Sequence, residues 1–120
     1  MYYTFQKSGD DFIFTDICPA LLDSILQKRD DFVGKTVDTA SHIGDKVTRK
    51  HLKQLYTLAW YQKRVLFYYF PDKTPDLFII TYLESQNDYN RGTEVMGRCM
   101  PVYKKNVPSS FGHIDQFLLF

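Results

Sequence analysis

The sequence predicts an α+β domain in which helices pack on an antiparallel sheet, and three observations support this fold class. Three apolar, aromatic-rich segments of strand length lie at Val65–Phe70, Leu77–Leu83 and Val95–Val102. Short segments rich in turn-forming residues separate them, which is typical of an antiparallel meander. Residues 45–63 carry a helical apolar periodicity, and two more strand-like segments lie within residues 1–17.

The first two predicted strands, Tyr2–Lys7 and Asp11–Ile17, form a hairpin joined by a short turn that contains glycine. Simple alternation along the second strand places Phe12 and Phe14 on one face and Ile17 on the other.

A short helix is predicted at Pro19–Gln27, because proline is tolerated in the first helical turn, where its missing N–H needs no partner. Its apolar residues fall on one side and are predicted to be core, whereas Gln27 faces water. These core residues are Leu21, Leu22, Ile25 and Leu26.

The connection at Lys28–Lys35 is charged, but Phe32 and Val33 are expected to turn inward before Gly34, which suits a positive φ angle. Residues 36–44 are predicted to form a loop in which His42 is exposed.

The longest predicted helix runs from Asp45 to about Lys63. Its apolar residues follow the i, i+4, i+7 and i+8 spacing of one buried stripe, and basic residues occupy much of the remaining surface. The stripe consists of Thr48, Leu52, Leu55, Tyr56, Ala59 and Trp60.

Composition and charge exclude several function classes. A chain of 120 residues with a formal net charge of +1 has the size of one domain and lacks the basic excess of a nucleic-acid-binding protein. No apolar run reaches the about 20 residues that span a bilayer, and residues 1–11 do not resemble a signal peptide. Cys18 and Cys99 have no metal-binding spacing, so we expect two reduced thiols in a cytoplasmic protein with no nucleic-acid or membrane partner.

Residues 108–120 form an apolar C-terminal segment after the last predicted strand. Its apolar residues recur at helix-like spacing after two serines that suit a helix N-cap. We predict that this segment packs on the outer sheet face or mediates homodimerisation, or that it begins a connecting helix. The apolar residues are Phe111, Ile114, Phe117, Leu118 and Phe120.

Two local patterns accompany this order of elements. The first is an apolar helix followed by acidic, apolar, glycine and lysine residues: Leu22, Ile25 and Leu26, then Asp30-Asp31-Phe32-Val33-Gly34-Lys35. The second is the strand Leu77–Leu83, the turn Asn90-Arg91-Gly92-Thr93-Glu94 and the strand start Val95-Met96-Gly97. With the order hairpin, short helices, long helix and meander, these patterns resemble the PAS domain, a sensory α+β module, from Thr4 to Tyr103.

The resemblance implies a five-stranded antiparallel sheet in the strand order 2-1-5-4-3, with helices on one face and the sensory domain at residues 1–107. It implies no catalysis. It implies a small ligand or cofactor between the sheet and the long helix, and a dimer that signals to an output domain outside this chain, in a bacterial-type signalling or transcription-regulatory protein. Pro101 would lie in the central strand, where we expect it to mark a bulge or the strand end.

Cofactors known in PAS domains find little support in these residues. Haem-binding members supply an axial histidine from the long helix, where His51 is the candidate, but its position beside Lys50 favours a surface histidine. The cysteine-containing motif of the photochemical flavin subfamily is missing. The cofactor therefore stays open, and neither a catalytic residue nor a metal ligand is predicted.

The predicted ligand site lies between the long helix and the meander, where apolar walls with a few polar tips are typical of small-molecule sites. The prediction assumes that the side chains at 78, 80 and 82 point inward and that the neighbouring strand adds a residue at 98 or 99. The candidate ligand-binding residues are Leu55, Tyr56, Ala59, Phe78, Ile80, Tyr82, Arg98 and Cys99.

Two alternatives remain open from sequence. A small cone-shaped α+β enzyme or binding protein would use a curved-sheet pocket with a buried acid or histidine, and the candidate acids, Asp16 and Glu84, lie near strand ends. A purely structural dimerisation module would have the same fold with a filled core.

Overall fold

The computed structural model describes residues 1–70, 74, 76–88 and 92–107. Five strands are formed: β1 (Tyr2–Ser8), β2 (Asp11–Ile17), β3 (Val65–Tyr69), β4 (Leu77–Asp88) and β5 (Gly92–Tyr103). The helices are α1 (Pro19–Ser24) and α2 (Lys46–Trp60), with 3-10 turns at Arg29–Asp31 and Lys104–Asn106.

The strands form one antiparallel sheet in the order β2-β1-β5-β4-β3, so the predicted fold class and strand order are confirmed. Strand β1 pairs with both β2 and β5, so the N-terminal strand lies inside the sheet and not at its edge. The last two strands are longer than predicted and pair along their whole length.

Helix α2 lies on one face of the sheet and contacts β2, β3, β4 and β5. Asp45 caps its N-terminus, where the carboxylate accepts a hydrogen bond from the backbone N–H of Thr48 at 2.8 Å. The predicted stripe is confirmed at its four central positions, Leu52, Leu55, Tyr56 and Ala59, all of which are buried.

A β-bulge changes the face of one predicted residue in β2. The register shifts between Thr4 and Phe5, so Thr15 has no partner residue in β1. The extra residue interrupts the alternation of side chains. Ile17 is therefore buried in the same core as Phe14, and the prediction that places it on the opposite face is wrong.

Helix α1 ends three residues earlier than predicted, and this reverses two side chains. Leu26 has a left-handed backbone with φ of 54° and is 60% exposed, so its assignment to the core is wrong. Gln27 is only 7% exposed, so its predicted contact with water is wrong too. Because the backbone turns at Leu26, the following side chain points back toward the core.

The inner face of β4 is the face opposite to the predicted one. Ile79 and Leu83 belong to the main core, and Thr81 between them is buried. Since side chains alternate along a strand, the even-numbered residues lie on the outer face. The prediction that Phe78, Ile80 and Tyr82 point inward is therefore wrong.

Pro101 is accommodated inside β5 without a bulge or a strand end, contrary to expectation. It pairs with Ile79, and the pairing with β4 continues to Tyr103 without a shift. The N–H of Cys99 donates to the carbonyl of Met1, so the nitrogen of Pro101, two residues later, points to the same side. Strand β1 begins at Tyr2 and does not extend as far as Pro101. Pairing with β1 therefore requires no N–H donor at residue 101 of β5.

Some predictions fall on residues outside the described ranges. These are the turn residues 71–73, 75 and 89–91 and the apolar C-terminal segment 108–120. The proposed roles of that segment therefore stay predictions.

Candidate functional site

A small cavity lies between the inner face of the sheet and the helical layer. It measures about 40 Å³, taken as the space open to the centre of a water molecule. A cavity of this size holds only a few water molecules. The described residues that line it are Tyr3, Phe14, Leu21, Ile25, Phe32, His42, Leu52, Tyr56, Phe67, Tyr69, Ile79, Thr81 and Cys99.

Gly97 in the central strand makes room for one wall of this cavity. It pairs with Tyr3 of β1, and a Cβ atom at Gly97 would lie 2.6 Å from Cε1 and 2.9 Å from Cζ of that tyrosine. The missing side chain therefore lets the Tyr3 ring lie across β5. In this position its hydroxyl reaches the Tyr56 hydroxyl of α2 at 2.8 Å.

Stacked rings hold Tyr56 and the opposite wall in place. The Tyr56 ring stacks on Phe5, with 3.9 Å between ring centroids and 18° between planes. In the opposite wall the ring centroids of Phe14 and Phe32 lie 4.2 Å apart. Phe32 in turn stacks on His42, with 5.1 Å between ring centroids. Such pairs add to the stability that area burial alone provides.

His42 is part of this wall, and the prediction that it is exposed is wrong. The residue is 6% exposed and lines the cavity. The hydroxyl of Tyr69 in β3 donates a hydrogen bond to the His42 carbonyl oxygen at 2.5 Å, which ties the loop to the sheet.

The phenols of Tyr3 and Tyr56 remain neutral over the physiological pH range. Burial raises the pKa of both well above the ordinary value, and the neighbouring Cys99 and Tyr69 raise these pKa values further. The Tyr3–Tyr56 hydrogen bond raises the pKa of Tyr3 and lowers that of Tyr56, but burial dominates both.

Cys99 and Thr81 contribute the remaining polar atoms from the sheet. Their Sγ and Oγ1 atoms lie 3.7 Å apart across β4 and β5. Burial raises the pKa of the Cys99 thiol to about 11, although the hydrogen bond with Thr81 opposes this shift. The thiol is therefore protonated and a poor nucleophile at neutral pH.

The structure brings two of the predicted ligand residues to the cavity, namely Tyr56 and Cys99. Leu55 and Ala59 are buried in the adjoining core but do not line the cavity. The other four predicted residues do not line it, because they lie on the outer face of the sheet: Phe78, Ile80, Tyr82 and Arg98.

Sequence reasoning missed Tyr3, His42 and Thr81 as cavity residues. Gly97 was the usable signal for Tyr3, because a glycine inside a strand often marks the close approach of another group. His42 lies in a loop, where neither periodicity nor pairing predicts burial.

The alternative enzyme or binding protein requires a buried acid or histidine in its pocket, and one described residue of the cavity wall fits that requirement. His42 is a buried histidine in the cavity wall, but the two candidate acids, Asp16 and Glu84, do not line the cavity. Asp16 instead forms an ion pair with Arg29 at 2.9 Å. His51, the candidate haem ligand, lies on α2 outside the cavity wall.

Across the part of the chain that the structure describes, no three His, Cys, Asp or Glu side chains come together in a way that could hold a metal ion. Within the same ranges, no helix combines the length and the apolar character needed to cross a membrane. No protein-family model matches the chain, and no curated protein is significantly similar to it.

Proposed function

We propose that this chain is a PAS-like, non-catalytic sensory module of the cytoplasm that binds a small neutral molecule between its sheet and α2. The observation that carries the proposal is the cavity beneath α2, whose mainly apolar wall includes the tips of Tyr3, Tyr56, Thr81 and Cys99. An apolar cavity with a few polar groups is the usual form of a small-molecule site.

The wall chemistry defines what such a site accepts. Among the described residues that line the cavity, none is Lys, Arg, Asp or Glu, so a charged ligand would lose its hydration without a counter-ion. With only about 40 Å³ open to the centre of a water molecule, the cavity accepts neither a haem nor a flavin without rearrangement of the helical layer.

Strand β5 offers a physical route from the ligand to a partner. Cys99 points into the cavity, whereas the next residue, Met100, is 57% exposed on the outer face. Leu66 of β3 is also exposed there, where it pairs with Tyr82 of β4. We propose that this outer face pairs with a second copy of the chain, and that the dimer signals to an output partner outside this chain.

The ligand test compares two variants of adjacent residues. Cys99→Leu fills the cavity, whereas Met100→Leu introduces the same side chain on the outer face of the same strand. The protein is purified from its cells in closed vessels and denatured by heat, and the released small molecules are identified by headspace mass spectrometry. We expect a stoichiometric compound from the wild type and from Met100→Leu but none from Cys99→Leu. Equal release from all three proteins would contradict the site.

The dimer test uses sedimentation equilibrium. We expect the intact chain to be dimeric and Met100→Glu to be monomeric, because a charge on the outer face opposes apolar association. Val47→Glu, at an exposed position of α2, is the matched control and should stay dimeric. A chain cut after Val107 shows whether the C-terminal segment contributes. A monomeric intact chain would refute the proposed dimer.

A further inference from the structure

The Tyr3–Tyr56 pair has one more hydroxyl proton than the pair itself can use. Two hydroxyl groups at 2.8 Å share one hydrogen bond, in which one proton is donated and the other is not. Among the described residues, no other protein group accepts a hydrogen bond from either tyrosine. One O–H donor in this buried pair is therefore left over, whichever tyrosine donates to the other.

The other hydroxyl and thiol groups that the structure describes in the cavity wall have acceptors of their own. The Tyr69 hydroxyl donates to the carbonyl of His42. Thr81 can donate to the thiol of Cys99, and this thiol can donate to the carbonyl of Gly97. Among the described hydroxyl and thiol groups of this wall, the unused donor is therefore a feature of the tyrosine pair alone.

A buried donor without an acceptor costs free energy, and an acceptor brought by a ligand removes that cost. A carbonyl oxygen suits this role, because it accepts hydrogen bonds and adds no donor to the apolar wall. Since both phenols stay protonated far above neutral pH, the donor is present at every physiological pH.

We propose that the ligand is a small neutral carbonyl compound whose oxygen accepts a hydrogen bond from the Tyr3–Tyr56 hydroxyl pair. This inference rests on the proposed ligand-binding function and specifies the chemical class that the same site takes. The small size of the cavity limits this compound to a few non-hydrogen atoms in the present conformation.

The experiment compares acetone with isobutene, which has nearly the same shape but no acceptor. Binding to the full chain is followed by methyl and amide NMR shifts. The test variant is the double substitution Tyr3→Phe/Tyr56→Phe, because a single substitution would leave one hydroxyl able to donate to the ligand. Removing both partners of a hydrogen bond while keeping the rings is compatible with folding, which the amide spectrum verifies. Tyr61→Phe, at the exposed tyrosine that directly follows α2, is the matched control.

We expect acetone to bind the wild type and Tyr61→Phe about fivefold more tightly than the double variant, with isobutene showing no such loss. An equal acetone affinity in all three proteins would overturn the inference. This result is expected if the unused donor bonds only to water. Xenon separates this failure from that of the proposed function. Xenon entry without selectivity for acetone refutes only the carbonyl proposal, whereas exclusion of xenon, acetone and isobutene from the wild type refutes both.

Discussion

Substitution of Gly97 by alanine should destabilise the fold, chiefly through a clash with the Tyr3 ring. The added Cβ would lie 2.6 Å from Cε1 of Tyr3, about 1 Å closer than carbon atoms prefer. The ring must move, and overpacking of this kind costs about 1–3 kcal/mol. Displacement of Tyr3 also weakens its 2.8 Å hydrogen bond with Tyr56, which adds about 1 kcal/mol. We therefore expect Gly97→Ala to lower the free energy of unfolding by about 2–4 kcal/mol.

Urea unfolding measures this loss, and a double-mutant cycle assigns it to the ring. Tyr3→Leu removes the Cε1 and Cζ atoms that the new methyl group would meet. In that background Gly97→Ala should cost much less, because only the 3.1 Å approach to Cδ2 of Leu83 remains and alanine lowers the entropy of the unfolded chain. A loss below about 0.5 kcal/mol in the wild type would refute the reasoning. So would a loss of the same size in both backgrounds.

Three further predictions concern the core, the buried phenols and the thiol. Leu55→Ala should cost about 2–5 kcal/mol in urea unfolding, whereas Leu58→Ala, 46% exposed on the same helix, should cost less than about 0.5 kcal/mol. The pKa values of Tyr3 and Tyr56 are higher in the fold than in the unfolded chain, where they are about 10. The stability that the two buried neutral phenols contribute is therefore complete below the unfolded pKa and is lost as the pH rises above it. Alkaline unfolding followed by circular dichroism should therefore shift to higher pH in Tyr3→Phe/Tyr56→Phe, and an unchanged midpoint would contradict this linkage. In a Cys18→Ser background the Cys99 thiol, with its pKa raised to about 11, should react with iodoacetamide at pH 8 far more slowly in the native chain than in urea. Equal rates would show that Cys99 is not buried.

The exposed ion pair between Lys53 and Asp38 gives a fifth prediction, with effects at both ends of the pH range. The hydrogen bond from Lys53, 2.8 Å long, lowers the pKa of the Asp38 carboxyl, so its contribution is lost as pH falls below about 4. The same hydrogen bond raises the pKa of Lys53, so its contribution is lost as pH rises above about 10.4. Lys53→Gln should slightly reduce the loss of unfolding free energy at both ends of the pH range. Added salt should reduce both losses in the wild type. An unaltered profile would mean that the pair does not form in solution.

The order of the elements was predictable because each carries a local signal. Apolar periodicity located α2, and aromatic strand segments with intervening turns located the meander. The strand order came from the resemblance to PAS domains, since pairing between distant strands leaves no mark in local sequence.

Which face of β4 points toward the core was not predictable, for a physical reason. The segment Leu77–Leu83 is apolar on both faces, so alternation gives no preferred side. The residues of this strand that line the cavity are Ile79 and Thr81, whereas the apolar Phe78 and Ile80 lie on the outer face. The cavity wall was misassigned on this strand because the hydrophobic pattern that fixes a register is missing.

Loop burial and local backbone reversals account for the remaining differences. Gln27 is buried because Leu26 adopts a left-handed backbone, a conformation that sequence does not signal at leucine. His42 is buried by rings from three separate segments, Phe14, Phe32 and Tyr69. Contacts of this kind depend on tertiary structure and are invisible to periodicity.

Xenon binding tests the central claim, a ligand cavity beneath α2, most directly. Methyl NMR spectra of the wild type, Cys99→Leu and Met100→Leu would be recorded under increasing xenon pressure, because apolar cavities of protein interiors bind this gas. We predict saturable shifts of the Leu21, Ile25, Leu52 and Ile79 methyl groups in the wild type and in Met100→Leu, and none in Cys99→Leu. Absence of saturable shifts in the wild type, or equal shifts in all three proteins, would contradict the cavity as the ligand site.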